Sequence, residues 1–378
     1  MKARVGMCPL FVILVTLLVG HPLLAANRVT VDQLKQILAA QRAANKSDET
    51  IARQLGSYEL TEQLTPQTLS HMSAELHPGP KTAQAIDLLA DFSTFLPPPQ
   101  KEIPDVPPPE MMAQRAMINS AIQYIVKTLR HLPDFLATRT TRSFDDSPLV
   151  IGHSGYAPNA DLHLVGTFTR PVTYRDGREV LDSVDSNGEK HKAAAGPAGL
   201  TTWGEFGPVL GIVLSDAAKG RITWSRWQNL PDGRVAVFRF QVPKEASHYL
   251  VDYCCVWQAL NDQGSSGTPL AYHGSPGYHG DLYVDPATGA ILRIVLETEL
   301  SGNDLITRAA ISVQYATVEI GGSPFICPVS SLAVSGDRNR PGKSIGDAMP
   351  VTRVNEVQFT DYHRFGSTSR IVSSDPQN

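Results

Sequence analysis

Two repeat periods divide the chain. From Val29 to Leu96 apolar residues recur at three- and four-residue spacing: Leu34, Ile37 and Leu38 share one helical face, Ile51 and Leu55 another, and Ala85, Leu88, Leu89 and Phe92 a third. Starts are legible as well. Thr30 with Gln33 forms a capping box, and Thr65 followed by Pro66 joins a cap to a first-turn proline. This predicts short helices that pack together. Residues 97–109 are rich in proline, which withholds backbone donors and favours extended polyproline geometry, so a semi-rigid linker is expected there. Beyond it Met111, Ile118, Ile122, Ile125, Leu129 and Leu132 mark one long amphipathic helix ending before Pro133.

The period then changes to two. Alternating segments at 137–144, 162–175, 222–227, 234–242, 249–257, 280–284, 290–300, 306–320, 325–334 and 355–365 predict strands, and Asp176-Gly177 and Asp232-Gly233 are hairpin turns. One helical interruption, Gly204 to Gly220, places Phe206, Leu210, Val213 and Ala217 on one face and stops at Lys219-Gly220. The expected fold class is α+β: a large curved antiparallel sheet, half-barrel-like, covered by helices and preceded by a small all-α module. The expected division is 1–26 leader, 27–96 helical module, 97–109 proline-rich linker and 110–378 sheet domain.

The segment Tyr278 to Leu300 concentrates polar chemistry on a strand pattern. Tyr278, Leu282, Val284, Leu292, Ile294, Leu296 and Leu300 fall on one face, and His279, Asp281, Arg293, Glu297 and Glu299 on the other. With Asp285 to Gly289 as the loop, Val284 faces Ala290, Leu282 faces Leu292, and Asp281 lies across from Arg293 as an ion pair on a solvated face. A catalytic role for His279 or Asp281 is the alternative. Strand 355–365 offers a second acid–histidine pair, Asp361 and His363, on a face shared with Val357 and Phe359. The Thr-rich strand carrying Arg139, Thr141 and Arg142 has the composition of a solvated edge or face.

Composition narrows the function classes. The formal net charge is -4, and neither a basic field nor a block of like charge is present, which excludes nucleic acid as an expected partner. Residues 1–26 show Lys2 and Arg4, an apolar run from Leu10 to Val19, then Pro22 and Ala25-Ala26, the order of a secretory leader. A membrane anchor is the alternative, but the run is shorter than the roughly 20 residues a spanning helix needs. The chain is therefore expected to be periplasmic or secreted, and peripheral to a membrane at most. Cys254, Cys255 and Cys327 follow the leader. In an oxidising compartment one disulfide is expected, and neighbouring strand residues face opposite sides, so only one of the adjacent pair reaches Cys327. We take Cys255 as that partner, with Cys254 left open. The cysteine spacing is not that of a zinc site, so no metal is expected.

Enzyme signatures are missing from the sequence. "GHSGY" and "HGSPG" misplace the glycines of a nucleophile elbow around Ser154 and Ser275, and "GDRNRPGKS" has one residue too many for a phosphate loop. No cofactor motif appears. A binding site is predicted instead where Phe206, Leu210 and Val213 of the interrupting helix meet Trp203, Trp224 and Trp227, a groove between helix and sheet for an acyl chain or apolar peptide; simple closure of the core is the competing account.

The segments "DLYVDPATGAILRIVLE", "YRDGREV" and "VQFTDYHRF", after one long helix, resemble the turns and closing strand of the half-barrel in periplasmic lipoprotein carriers and related outer-membrane lipoprotein-sorting proteins. "LPDFLATRTTRSFDD", "WGEFGPVLGIVLSDAAKGRITWSRW", "FRFQVPKEASHY" and "EIGGSPFICPVSSL" resemble a group of exported, uncharacterised bacterial proteins of similar length. The first resemblance implies a sheet that holds lipid; the second implies export alone. The expected function is binding or scaffolding in a cell envelope, with a protein partner reached through the helical module. An extracytoplasmic hydrolase with a noncontiguous His/Asp site is the alternative.

Overall fold

The computed structural model describes residues 27–146, 150–151, 155–156, 162–180, 199–200, 205–206, 208–231, 233–256, 270–337 and 351–364. The leader and Trp203 lie outside the described residues.

The amino-terminal module contains β1 (Asn27–Val29), α1 (Val31–Ala43), α2 (Asp48–Leu55), β2 (Tyr58–Leu60), α3 (Pro66–Leu76) and α4 (Pro80–Ser93). The caps form as the sequence requires. Thr30 accepts from the Gln33 amide while Gln33 returns a bond to Thr30, and Thr65 caps the helix that Pro66 opens. Leu34, Leu55, Met72 and Ile86 interlock in a core where each is at most 1% exposed, and β1 and β2 add one parallel pair.

After α5 (Met111–His131) comes β3 (Phe135–Asp145), then the paired two-residue strands β4 (Val150–Ile151) and β5 (Gly155–Tyr156). The chain continues through β6 (His163–Arg175), β7 (Arg178–Val180), β8 (Gly199–Leu200), α6 (Pro208–Lys219), β9 (Arg221–Leu230), β10 (Gly233–Val242) and β11 (Val251–Val256). It closes with β12 (Leu270–Gly274), β13 (Gly277–Val284), β14 (Ile291–Glu299), β15 (Ile306–Ile320), β16 (Ser323–Asp337) and β17 (Thr352–Arg364). Among the described residues ten strands form one open antiparallel sheet in the order β7-β6-β3-β17-β16-β15-β14-β13-β10-β9. The Asp176-Gly177 turn joins β6 to β7 with both residues at positive φ, as a two-residue hairpin of this twist demands.

Both faces of the sheet are covered. On one, α5 and α6 lie over Phe238, Phe240, Leu282, Ile294, Leu296 and Val313. The segment 249–257, expected in the large sheet, instead contributes β11 to a separate sheet of order β12-β11-β8 packed on this same side. Asn355 of β17 donates to the Leu200 carbonyl of β8, and Arg353 meets both Tyr253 and Asp337. The other face, expected to be wet, carries the helical module. Leu88, Phe92 and Phe95 pack on Phe144, Leu332, Val334 and Val354; Phe95 also touches the cluster of Val235, Val237, Tyr283 and Val295. The Arg293 guanidinium donates to the Thr94 carbonyl at 3.2 Å. The proline segment lies against the body, with the Pro107 carbonyl accepting from the Trp227 indole at 3.1 Å.

Registers differ from the expected ones at bulges. An irregularity between Tyr283 and Val284 pairs Val284 with Ile291, so Asp281 lies opposite Val295 and Arg293 opposite Tyr283. Ile291 takes the inward place expected for Leu292, which turns to the face carrying Val295 and Tyr283. β3 is no edge: it runs between β17 and β6, and Thr141 is buried.

Candidate functional site

The residues expected to line a groove chiefly close the core. Phe206, just ahead of α6, sits in an aromatic knot with Phe135, Tyr174, Phe359 and Tyr362, its ring centre 5.1 Å from that of Phe359. Leu210 and Val213 point from α6 into the main core. Trp224 and Trp227 are half-buried on β9, edge to face at 4.9 Å, with Trp224 against Phe238. Phe206 and the tryptophans thus belong to different clusters around the α6 roof.

Each end of that roof carries a buried carboxylate. Asp216, in the last turn of α6, is 1% exposed and accepts three hydrogen bonds: from the His248 amide at 2.8 Å, from His248 Nδ1 at 2.6 Å and from the Tyr278 hydroxyl at 2.9 Å. The His248 ring itself is largely exposed. Burial and the bond to Asp216 push the Tyr278 phenol far above its ordinary range. A carboxylate fixing Nδ1 of an otherwise solvent-facing imidazole is the geometry that leaves Nε2 as a base or ligand. The signal for Asp216 was present in the sequence: an acid in the last turn of a helix opposes the helix dipole and needs a compensating partner. Its partner, 32 residues away, had no such signal.

At the other end Glu205, also 1% exposed, reaches Ser331 at 3.3 Å and Arg139 at 3.5 Å, and the Tyr315 hydroxyl donates to its carbonyl. Its Oε2 is buried without a hydrogen-bond partner. Burial foremost, then the Glu205 charge, raises the phenols of Tyr249 and Tyr315.

The acid–histidine pairs singled out from the sequence do not form catalytic dyads. His279 is exposed beside Glu299 at 3.5 Å, while Asp281 is buried against Arg226 and Arg239 on the module side of the sheet. Asp361 bulges out of β17 at φ 54°, which spoils the alternation expected of the strand; Tyr362 turns inward to Phe135, and His363 faces the Asp361 carbonyl from an exposed position. The expected Cys255–Cys327 bridge is absent. Cys254 and Cys255 lie in close contact with each other instead. Cys327, on β16, is a free thiol buried with Phe135 and Phe359, and burial pushes it up to about 12.

Among the described residues no group of three or more His, Cys, Asp or Glu is arranged to hold a metal ion, and no helix is long and apolar enough to cross a membrane. No protein-family model matches the chain, and no curated protein or solved structure is significantly similar to it.

Proposed function

We propose that the chain is an exported binding protein of a cell envelope that admits an acyl chain or apolar peptide between the large sheet and α6. One observation carries this reading. α6 meets the sheet through Leu210, Val213, Leu214 and Ala217, and its hydrogen-bonded anchors stand near its two ends, at Glu205 and Asp216. Apolar contact is non-directional, so an acyl chain entering there replaces what it displaces in kind while both tethers hold. The half-barrel resemblance supports the same reading. The test is to purify the mature protein from its native host, extract it, and analyse the extract by mass spectrometry. A fluorescent fatty acid is then titrated into delipidated protein and into Ala217→Trp, which crowds the buried contact between α6 and the sheet. Co-purified lipid, with binding lost in Ala217→Trp, supports the reading; no lipid and no binding to wild type refutes it.

A second reading, hydrolysis, is favoured by the Asp216–His248 pair alone. Ester hydrolysis by the purified protein that disappears in His248→Ala would establish it.

A further inference from the structure

The module docks on the sheet across an acidic contact. Asp91 on α4 lies toward β3 and β17, with the exposed Asp87 one turn before it, and there Arg142 donates to Glu356 at 2.9 Å and stacks over Phe144 at 5.0 Å. Leu88 and Phe92, which flank Asp91, pack on Phe144 and Val354 and so bring Asp91 against Glu356, and the Asp91 Oδ2 is buried without a hydrogen-bond partner. Two carboxyl groups can share a hydrogen bond only if one is protonated. Among the described residues the other cations near this contact have acids of their own: Arg53 and Lys81 lie 3.7 Å and 3.3 Å from Glu49, Arg308 beside Phe95 is 3.2 Å from Glu297, and His163 at the start of β6 lies 3.7 Å from Asp145, while β16 presents Leu332 and Val334. With Asp91 and Glu356 both ionised, one arginine would face two adjacent sheltered negative charges.

We propose that docking of the amino-terminal helical module on the ten-stranded sheet is proton-linked, with Asp91 and Glu356 as the proton-sharing pair and release of that proton loosening the module. Burial first, then the Glu356 charge and hydrogen bond, hold the Asp91 carboxyl well above its ordinary 3.8; burial also raises Glu356 and Asp87. The docked state therefore binds more protons than the undocked one. Docking is strongest at and below the ordinary carboxylate range and weakens as pH rises through the docked pKa. The device gives a protein outside the cytoplasm a reason to expose its apolar sheet face, with Phe144 and Val354, in one pH regime and hide it in another.

The experiment is hydrogen exchange of the full mature chain from pH 4 to 9, corrected for the chemical exchange rate. It follows Leu88–Phe95 of α4 and the facing part of β17, with Ile294–Leu296 of β14 as the internal control. Expected is a loss of α4 protection of up to about tenfold per pH unit across the titration, with β14 unchanged. Asp91→Asn, which mimics the protonated acid, should flatten this dependence, and Glu356→Gln, which removes the opposing charge, should move it to lower pH or abolish it. A flat wild-type profile, or the wild-type slope retained in both variants, overturns the proposal. Cleavage by a protease at the proline segment gives a second readout of the same opening, with the same expected order among the three proteins.

Discussion

Replacing Asp281 with alanine discriminates between two environments for one strand residue. On a solvated face, paired with Arg293, the carboxylate would contribute about 0.2–1 kcal/mol. The structure places it instead between Arg226 Nη1 and Arg239 Nε, each at 3.0 Å, under the helical module. The Asp281 and Arg226 side chains are 11% and 8% exposed, so removing the acid strands a buried guanidinium with only the neutral acceptors Gln228, Ser225 and Tyr283. Breaking a buried pair in this one-sided way costs about 3–5 kcal/mol. Arg239 is 56% exposed, so its own removal costs at most about 1 kcal/mol and that loss shrinks in high salt. The assay is urea denaturation followed through Trp224 and Trp227, which flank Arg226 on β9, at low and high ionic strength. If Asp281→Ala falls within about 1 kcal/mol of wild type with an unchanged denaturant slope, Arg226 is not sequestered as described and the covered-face account fails.

Two further outcomes follow from the α6 roof and the buried thiol. Asp216→Ala removes the acceptor of three hydrogen bonds and leaves the Tyr278 hydroxyl buried without one, so a loss of about 2–4 kcal/mol and faster hydrogen exchange in the last turn of α6 are expected; exchange no faster than wild type would show that the anchor is dispensable. Cys327 should resist an aromatic disulfide reagent at pH 8 in the native chain and become reactive in denaturant, as mapped by peptide mass spectrometry; rapid native labelling would contradict its burial and its raised pKa.

Local order was legible in the sequence because it is encoded locally. The Thr30–Gln33 box, the Thr65-Pro66 start, the middle of the α5 stripe at Ile118, Ile122 and Ile125, and the alternation along β10, β13 and β15 each depend on residues a few positions apart, and each formed, whereas Met111 at the start of that stripe is exposed. The α+β class followed from their sum. Periodicity also reported correctly which side chains share a face along much of β13, including Tyr278 with Leu282 and Val284.

What covers a face is another matter, because alternation describes one strand and burial depends on whatever packs against it. Only the tertiary structure brought α4 and Phe95 over the polar side of the sheet, turning a surface Asp281 into a buried one and assembling Asp91 with Glu356 across 265 positions of sequence. Single-residue bulges at Tyr283 and Asp361 changed partners and parity downstream, which no composition rule reveals. The Asp216–His248 contact arose in the same way: the sequence supplied an acid at the unfavourable end of a helix, and the fold supplied the imidazole that compensates it.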